Sequence, residues 1–271
     1  MESSQIITVQ RSPGVRLRVR VSGDGDTILF VHGFPLSGRL WNEAVDRLAR
    51  SFRCVVPDLR GHGESDATDA ASMADHADDL LAVLDAAGQT GPAVVVGLSM
   101  GGYVAFELVR RMPDRVRALV LANTRAGADT PEAAAKRRET ASAVLRDGSE
   151  VVADSMVGKL FAASADEHLR RRWHTIMRTT PPKGIAAALR AMADRPDSLS
   201  TLHGFERPVL VVAGNEDEIV TTADAEAMRD AAPDARLEVV EGAGHMTPVE
   251  QPDTFADLVA GFLRSLPPSS G

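Results

Sequence analysis

Cysteine occurs once in the 271 residues, at Cys54. No disulfide can form within the chain, so nothing here speaks for an oxidising compartment. Cys54 opens the apolar run Cys54-Val55-Val56 and reads as a small core residue, not a reactive thiol. Lysine is confined to Lys136, Lys159 and Lys183. Arginine therefore carries the positive charge, which we read as genome composition and not as function. Positive charge is also in deficit, with 30 basic against 38 acidic residues and a net charge of −8. That balance argues against a nucleic-acid partner. No apolar run approaches the ~20 residues that span a bilayer, and no signal-like segment opens the chain. The expectation is a soluble, cytoplasmic protein with no membrane partner, either monomer or homodimer. Aromatic residues make up only 4%, but 44% of the chain is hydrophobic, enough for the core of one large domain.

What is present is an alternation. Strand-like runs at 6–10 and 15–21 pair across Pro13-Gly14. Further strands are expected at 28–32, 53–57, 93–96, 116–122, 208–213 and 237–240, with helices at 38–50, 73–87 and 103–112. This is an α/β pattern. It predicts a mostly parallel twisted sheet with helices on both faces and an antiparallel N-terminal edge. From 127 to 205 no strand is convincing. Four helices fit there instead, at 131–146, 149–161, 166–178 and 185–193. We expect a sheet domain formed by 1–126 and 206–265, a helical cap at 127–205 and a disordered tail at 266–271.

The most informative run is Val94-Val95-Val96-Gly97-Leu98-Ser99-Met100-Gly101-Gly102. A strand buried on both faces leads into Gly-x-Ser-x-Gly, and a helix follows. Ser99 then sits on a sharp strand-to-helix turn, where a nucleophile is held exposed. A phosphate-binding loop would carry a different glycine spacing, or a Lys where Tyr103 stands.

A serine hydroxyl needs a base, and the base needs an orienting carboxylate. His245 follows the last strand in Gly242-Ala243-Gly244-His245, where small residues leave its ring free to swing over the sheet edge. Asp217 follows the strand before it, with Glu216 and Glu218 as rivals. Asn123 occupies another place where an acid could sit, but it is an amide. The oxyanion requires two donors. They are expected from the backbone N–H groups of Met100 and of Phe34, in His32-Gly33-Phe34-Pro35. His32 and His62 read as loop braces.

The apolar cap residues Met156, Leu160, Phe161, Trp173, Ile176 and Met177 exceed what an outer face needs. Some are expected to close over the centre with Phe34, Trp41 and Met100, and Val220 and Met246 are counted with this substrate wall. His168, Trp173, His174 and the run Arg170-Arg171-Arg172 read as cap surface and packing, because further metal ligands at helical spacing are lacking. No metal or organic cofactor is expected.

Five stretches together resemble the α/β-hydrolase fold superfamily. They are His32-Gly33-Phe34-Pro35, Asp58-Leu59-Arg60-Gly61-His62-Gly63-Glu64-Ser65, Gly97 to Gly102, Gly214-Asn215-Glu216-Asp217, and Gly244-His245 with Glu250-Gln251-Pro252. The narrower likeness, to which 119–125 contributes, is to small bacterial esterases and 3-oxoadipate enol-lactonase-like proteins. The resemblance implies a Ser99–Asp217–His245 triad under a helical cap, acting on a carboxylic ester or lactone. Relatives with an Asp at the elbow, dehalogenases and epoxide hydrolases, are set aside by Ser99. Cofactor-free perhydrolases or haloperoxidases and C–C bond hydrolases share the serine triad and stay open. A proline-specific aminopeptidase would need an acidic cap site. Glu150, Asp154, Asp166 and Glu167 are available but read as helix-surface charges. A non-catalytic ligand-binding protein of this fold is the remaining alternative.

Overall fold

The computed structural model describes residues 4–11 and 14–267. In chain order the first elements are β1 (Gln5–Arg11), β2 (Val15–Ser22), β3 (Thr27–Val31), α1 (Asn42–Leu48) and β4 (Arg53–Pro57). Then come α2 (Met73–Ala86), β5 (Ala93–Leu98), α3 (Met100–Arg111) and β6 (Val116–Ala122). An all-helical stretch follows: α4 (Pro131–Asp147), α5 (Glu150–Met156), α6 (Glu167–Thr179), α7 (Pro182–Ala193) and α8 (Leu199–His203). The chain re-enters the sheet as β7 (Val209–Gly214) and closes with α9 (Thr222–Ala231), β8 (Ala235–Val240), α10 (Thr247–Glu250) and α11 (Pro252–Ser265).

Among the described residues the sheet has eight strands in the order β1-β2-β4-β3-β5-β6-β7-β8. β1 and β2 pair antiparallel, β2 joins β4 antiparallel, and every later pairing is parallel. The burial of the strands explains the difference. β3, β5 and β7 are buried at every position, as strands covered by helices on both faces must be. β2 alternates buried with less buried residues, as befits a strand near an edge.

Helix starts follow local chemistry. Ser72 and Thr221 form capping boxes with Asp75 and Asp224, and Thr130 caps α4 with Pro131 in its first turn. α4 ends at Gly148, whose φ of 93° suits glycine. The tail expected from 266 falls partly outside the described residues, as does Pro13 of the expected β1–β2 turn. Leu266 itself is buried, and the carbonyl of Pro267 accepts a hydrogen bond from Arg117.

The helical insert seats on the sheet domain at several points. Thr180 Oγ1 donates to the carbonyl of Pro35 at 2.8 Å, and the N–H of Ser198 donates to Ala126 at 2.9 Å. Gly184 of α7 meets Gly61 backbone to backbone; a Cβ on Gly184 would stand 1.9 Å from the Gly61 oxygen. No helix among the described residues is long and apolar enough to cross a membrane.

Several element bounds differ from expectation by one to three residues, a short helix, α8, stands where none was expected, and two departures are larger. The helix expected at 149–161 stops at Met156, and the loop beyond it docks on the sheet domain. Residues 38–41 wind as a 3₁₀ turn before α1. Trp41, expected in the substrate wall, is fully buried, its ring 5.1 Å from Phe30 and 5.8 Å from Phe255.

Candidate active site

Ser99 links β5 to α3 with φ 53° and ψ −115°, a conformation that costs a non-glycine residue of order 1–3 kcal/mol. The surrounding glycines supply space. A Cβ on Gly97 would lie 2.6 Å from the Gly101 carbonyl carbon, and one on Gly101 would lie 2.1 Å from the Val31 oxygen. One on Gly102 would lie 2.4 Å from Thr124 Oγ1. The turn therefore closes only without those side chains, and it leaves Ser99 half-buried.

Asp217 and His245 stand on the loops after β7 and β8. His245 Nδ1 donates to Asp217 Oδ2 at 2.8 Å, and the two side chains are 2% and 1% exposed. With Nδ1 carrying the proton toward the carboxylate, Nε2 is left as the proton acceptor. The ring does not swing freely, as its small neighbours suggested; it is buried and tied. Asp217 Oδ1 accepts the N–H groups of Ile219 at 2.8 Å and Val220 at 3.0 Å. Burial would raise this carboxyl. Electrostatic attraction to His245 and its hydrogen bond, with those N–H groups, outweigh it and hold Asp217 below the usual carboxylate range. Glu218 is exposed, and Glu216 accepts the N–H of Ala163 at 3.1 Å instead.

The end of β6 ties these groups together. The N–H of Ser99 donates to Ala122 at 3.1 Å, and Thr124 Oγ1 donates to the Ser99 carbonyl at 2.7 Å. Between them, Asn123 Nδ2 donates to Asp217 Oδ2 at 3.1 Å and to the carbonyl of Gly244 at 3.0 Å. Asn123 has φ 46°, a region that Asn tolerates better than most residues. In the sequence Asn123 reads only as an amide at a place where an acid could sit. Its role as a donor was not visible from its position.

The loop after β3 runs beside the serine. A Cβ on Gly33 would lie 3.2 Å from Ser99 Cβ and 2.8 Å from the Leu98 side chain. His32 braces this loop. Its Nε2 accepts the N–H of Leu59 at 2.9 Å, so Nδ1 carries the proton and donates to Gly33 at 2.9 Å. Burial lowers the His32 pKa to about 4, which keeps the ring neutral and ill-suited to be the base. His62 is lowered by burial to about 3 and bonds the carbonyl of Arg60. Phe34, which supplies the expected donor, packs edge-on to His62 with ring centroids 6.4 Å apart. Met100 opens α3, where backbone N–H groups carry partial positive charge.

Leu160, Phe161, Trp173, Met177 and Met246 join one continuous apolar cluster that also contains Trp41, with Met156 packed on it. Val220 is buried beside Asp217. In the helical insert, His174 Nε2 pairs with Asp154 at 2.6 Å, and Arg170 Nη2 donates to the carbonyl of Ala162 at 2.5 Å. Among the described residues no group of three or more His, Cys, Asp or Glu is placed to hold a metal ion.

Residues 26–252 match the family model of the alpha/beta hydrolase fold, and the chain belongs to that family. More narrowly, it is similar to 3-oxoadipate enol-lactonase 1 of Acinetobacter baylyi, at 28% identity over 98% of this chain and 100% of the relative. A thermophilic esterase from Thermogutta terrifontis shares 38% identity, with a TM-score of 0.93 over 97% of this chain and 99% of that one. The enol-lactonase from Burkholderia xenovorans LB400 shares 26%, with a TM-score of 0.87 over 96% and 100%. The family resemblance read from five short stretches thus extends along nearly the whole chain.

Proposed function

We propose that this protein is a serine hydrolase that cleaves a carboxylic ester or lactone through an acyl-enzyme. The observation that carries the reading is the buried 2.8 Å bond between Asp217 and His245, anchored through β6 to the strained Ser99. His245 Nε2 takes the Ser99 proton as Oγ attacks the carbonyl carbon. The N–H groups of Phe34 and Met100 hold the oxyanion. His245 then protonates the leaving alkoxide, and water, activated by the same ring, releases the acid. The apolar cluster reaching from Met246 into the cap suits a small to medium, mainly apolar acyl group. The esterase and lactonase named among the similar proteins support the same class of bond.

The test is a panel of chromogenic esters and lactones graded by acyl length, with a phosphonate probe whose adduct is mapped by mass spectrometry. Turnover should vanish in Ser99→Ala, and the adduct should sit on Ser99. Ester turnover that survives in Ser99→Ala, or an adduct on another serine, overturns the proposal.

A further inference from the structure

Glu250 belongs to a stretch that carried the family resemblance, yet the mechanism leaves it without a part. It closes the short helix α10, which starts two residues after His245. That turn brings its carboxylate back over the histidine loop. Oε1 accepts the N–H of Gly244 at 2.9 Å and the N–H of Met246 at 3.1 Å, the residues on either side of His245. Oε2 accepts the N–H of Ala162 at 2.7 Å, in the cap loop between α5 and α6.

The same loop is fastened at two more places. The carbonyl of Leu160 accepts from Met246 at 3.1 Å, and the N–H of Ala163 donates to Glu216, next to Asp217. The surfaces are in contact: a Cβ on Gly244 would lie 2.5 Å from the nitrogen of Ala162 and 2.7 Å from the carbonyl carbon of Phe161. Three N–H donors converging on two oxygens require a group that only accepts, which an ionised carboxylate is and an amide is not.

We infer that Glu250 is a positioning residue: it sets the backbone of His245 from both sides and fixes the cap loop at 160–163 to that setting. The inference rests on the proposed role of His245 as base. Its physical reason is geometric. A shift of about 1 Å in a catalytic group costs about 100-fold in rate. A carboxylate held by the flanking N–H groups controls the ring's height over Ser99 without touching substrate.

The test uses the full chain and two variants, Glu250→Gln and Glu250→Asp. Glu250→Gln keeps the shape but turns an NH₂ toward an N–H. Glu250→Asp keeps the charge but is one methylene too short to serve both Gly244 and Ala162. Two readouts are taken: kcat and KM on a chromogenic ester, and the low-field proton NMR signal of His245 Nδ1–H, which needs no substrate. For Glu250→Gln, kcat should fall 10- to 100-fold with KM changed less than threefold, and the Nδ1–H signal should broaden or shift. Glu250→Asp should lie between Glu250→Gln and wild type in both. Unchanged kcat and an unmoved signal in a folded variant would overturn the inference. A fall in kcat with an unmoved signal would overturn it too, because the loss would not pass through His245. Should wild type turn over no ester, the hydrolase reading fails, while the NMR comparison still decides the positioning of His245.

Discussion

Asn123 Nδ2 donates to Asp217 Oδ2 at 3.1 Å, and that same oxygen accepts the proton-bearing nitrogen of His245. One carboxylate oxygen thus serves two donors from two different strand ends. The amide completes the acid's solvation and pins the histidine loop through Gly244.

Asn123→Asp should therefore set two carboxylates against each other. Like charges at that range raise one carboxyl strongly, so the acid limb of kcat/KM should move to higher pH by about one unit or more. Asn123→Ala removes the donor without adding charge, and should lower kcat about tenfold, the cost of one lost charge-assisted hydrogen bond, with the limb in place. A pH–rate profile from 4 to 9 separates the two. An unmoved limb in Asn123→Asp would show that the side chains do not communicate.

Asp217→Asn should fold normally and lose about four orders of magnitude in kcat, by analogy with the same change in serine proteases. Glu218→Gln, at an exposed position, should change little. Steady-state rates decide this, and a reversed pattern would mean that the acid is misassigned.

Ser99→Gly should be inactive but more stable. Relief of a φ of 53° returns about 1–3 kcal/mol. The added chain entropy of glycine takes back about 0.5–1 kcal/mol, for a net gain of about 1 kcal/mol. Ser99→Ala keeps the strain and should show no such gain. Urea midpoints of the three proteins test it; equal midpoints would deny that the turn stores strain.

Acid stability should depend on the buried histidines. His32 and His76 titrate at about 4 in the fold and His62 at about 3, each lowered first by burial. The unfolded chain binds these protons near pH 6.5. Their contribution is fully present above pH 6.5 and is lost as pH falls through 4 toward 3. Both ring nitrogens of His76 are buried without a partner. His76→Leu should therefore cost nothing at pH 7.5. It should also reduce the stability lost between pH 7.5 and 4 by on the order of 3 kcal/mol. An unchanged pH slope would count against it.

Much of this was legible because it is written in side-chain patterns. The strands at 53–57 and 116–122 coincide with the expected bounds, and the chain order of Ser99, Asp217 and His245 follows from which strand each one trails. What was not legible depends on backbone meeting side chain across the fold. Glu250 shows in the sequence only as part of a family-like stretch, because acceptance of three N–H groups leaves no periodic trace. α9 has its signal in Thr221 and Asp224 at capping-box spacing but lies outside the expected helices, and α10 and α11 each begin with a proline in the first turn. The 3₁₀ turn before α1 has no periodic signature in the sequence either, and it is this turn that delivers the Trp41 ring to Phe30 and Phe255.

The helical insert interrupts the sheet between β6 and β7, and so it also divides the chemistry. Ser99, Gly33 and Asn123 precede it; Asp217, His245 and Glu250 follow it. A chain cut anywhere within the insert yields one fragment that owns the proposed nucleophile and another that owns its proposed base and acid. Neither half can turn over substrate alone, and activity recovered from a mixture of the two would report directly on their reassembly.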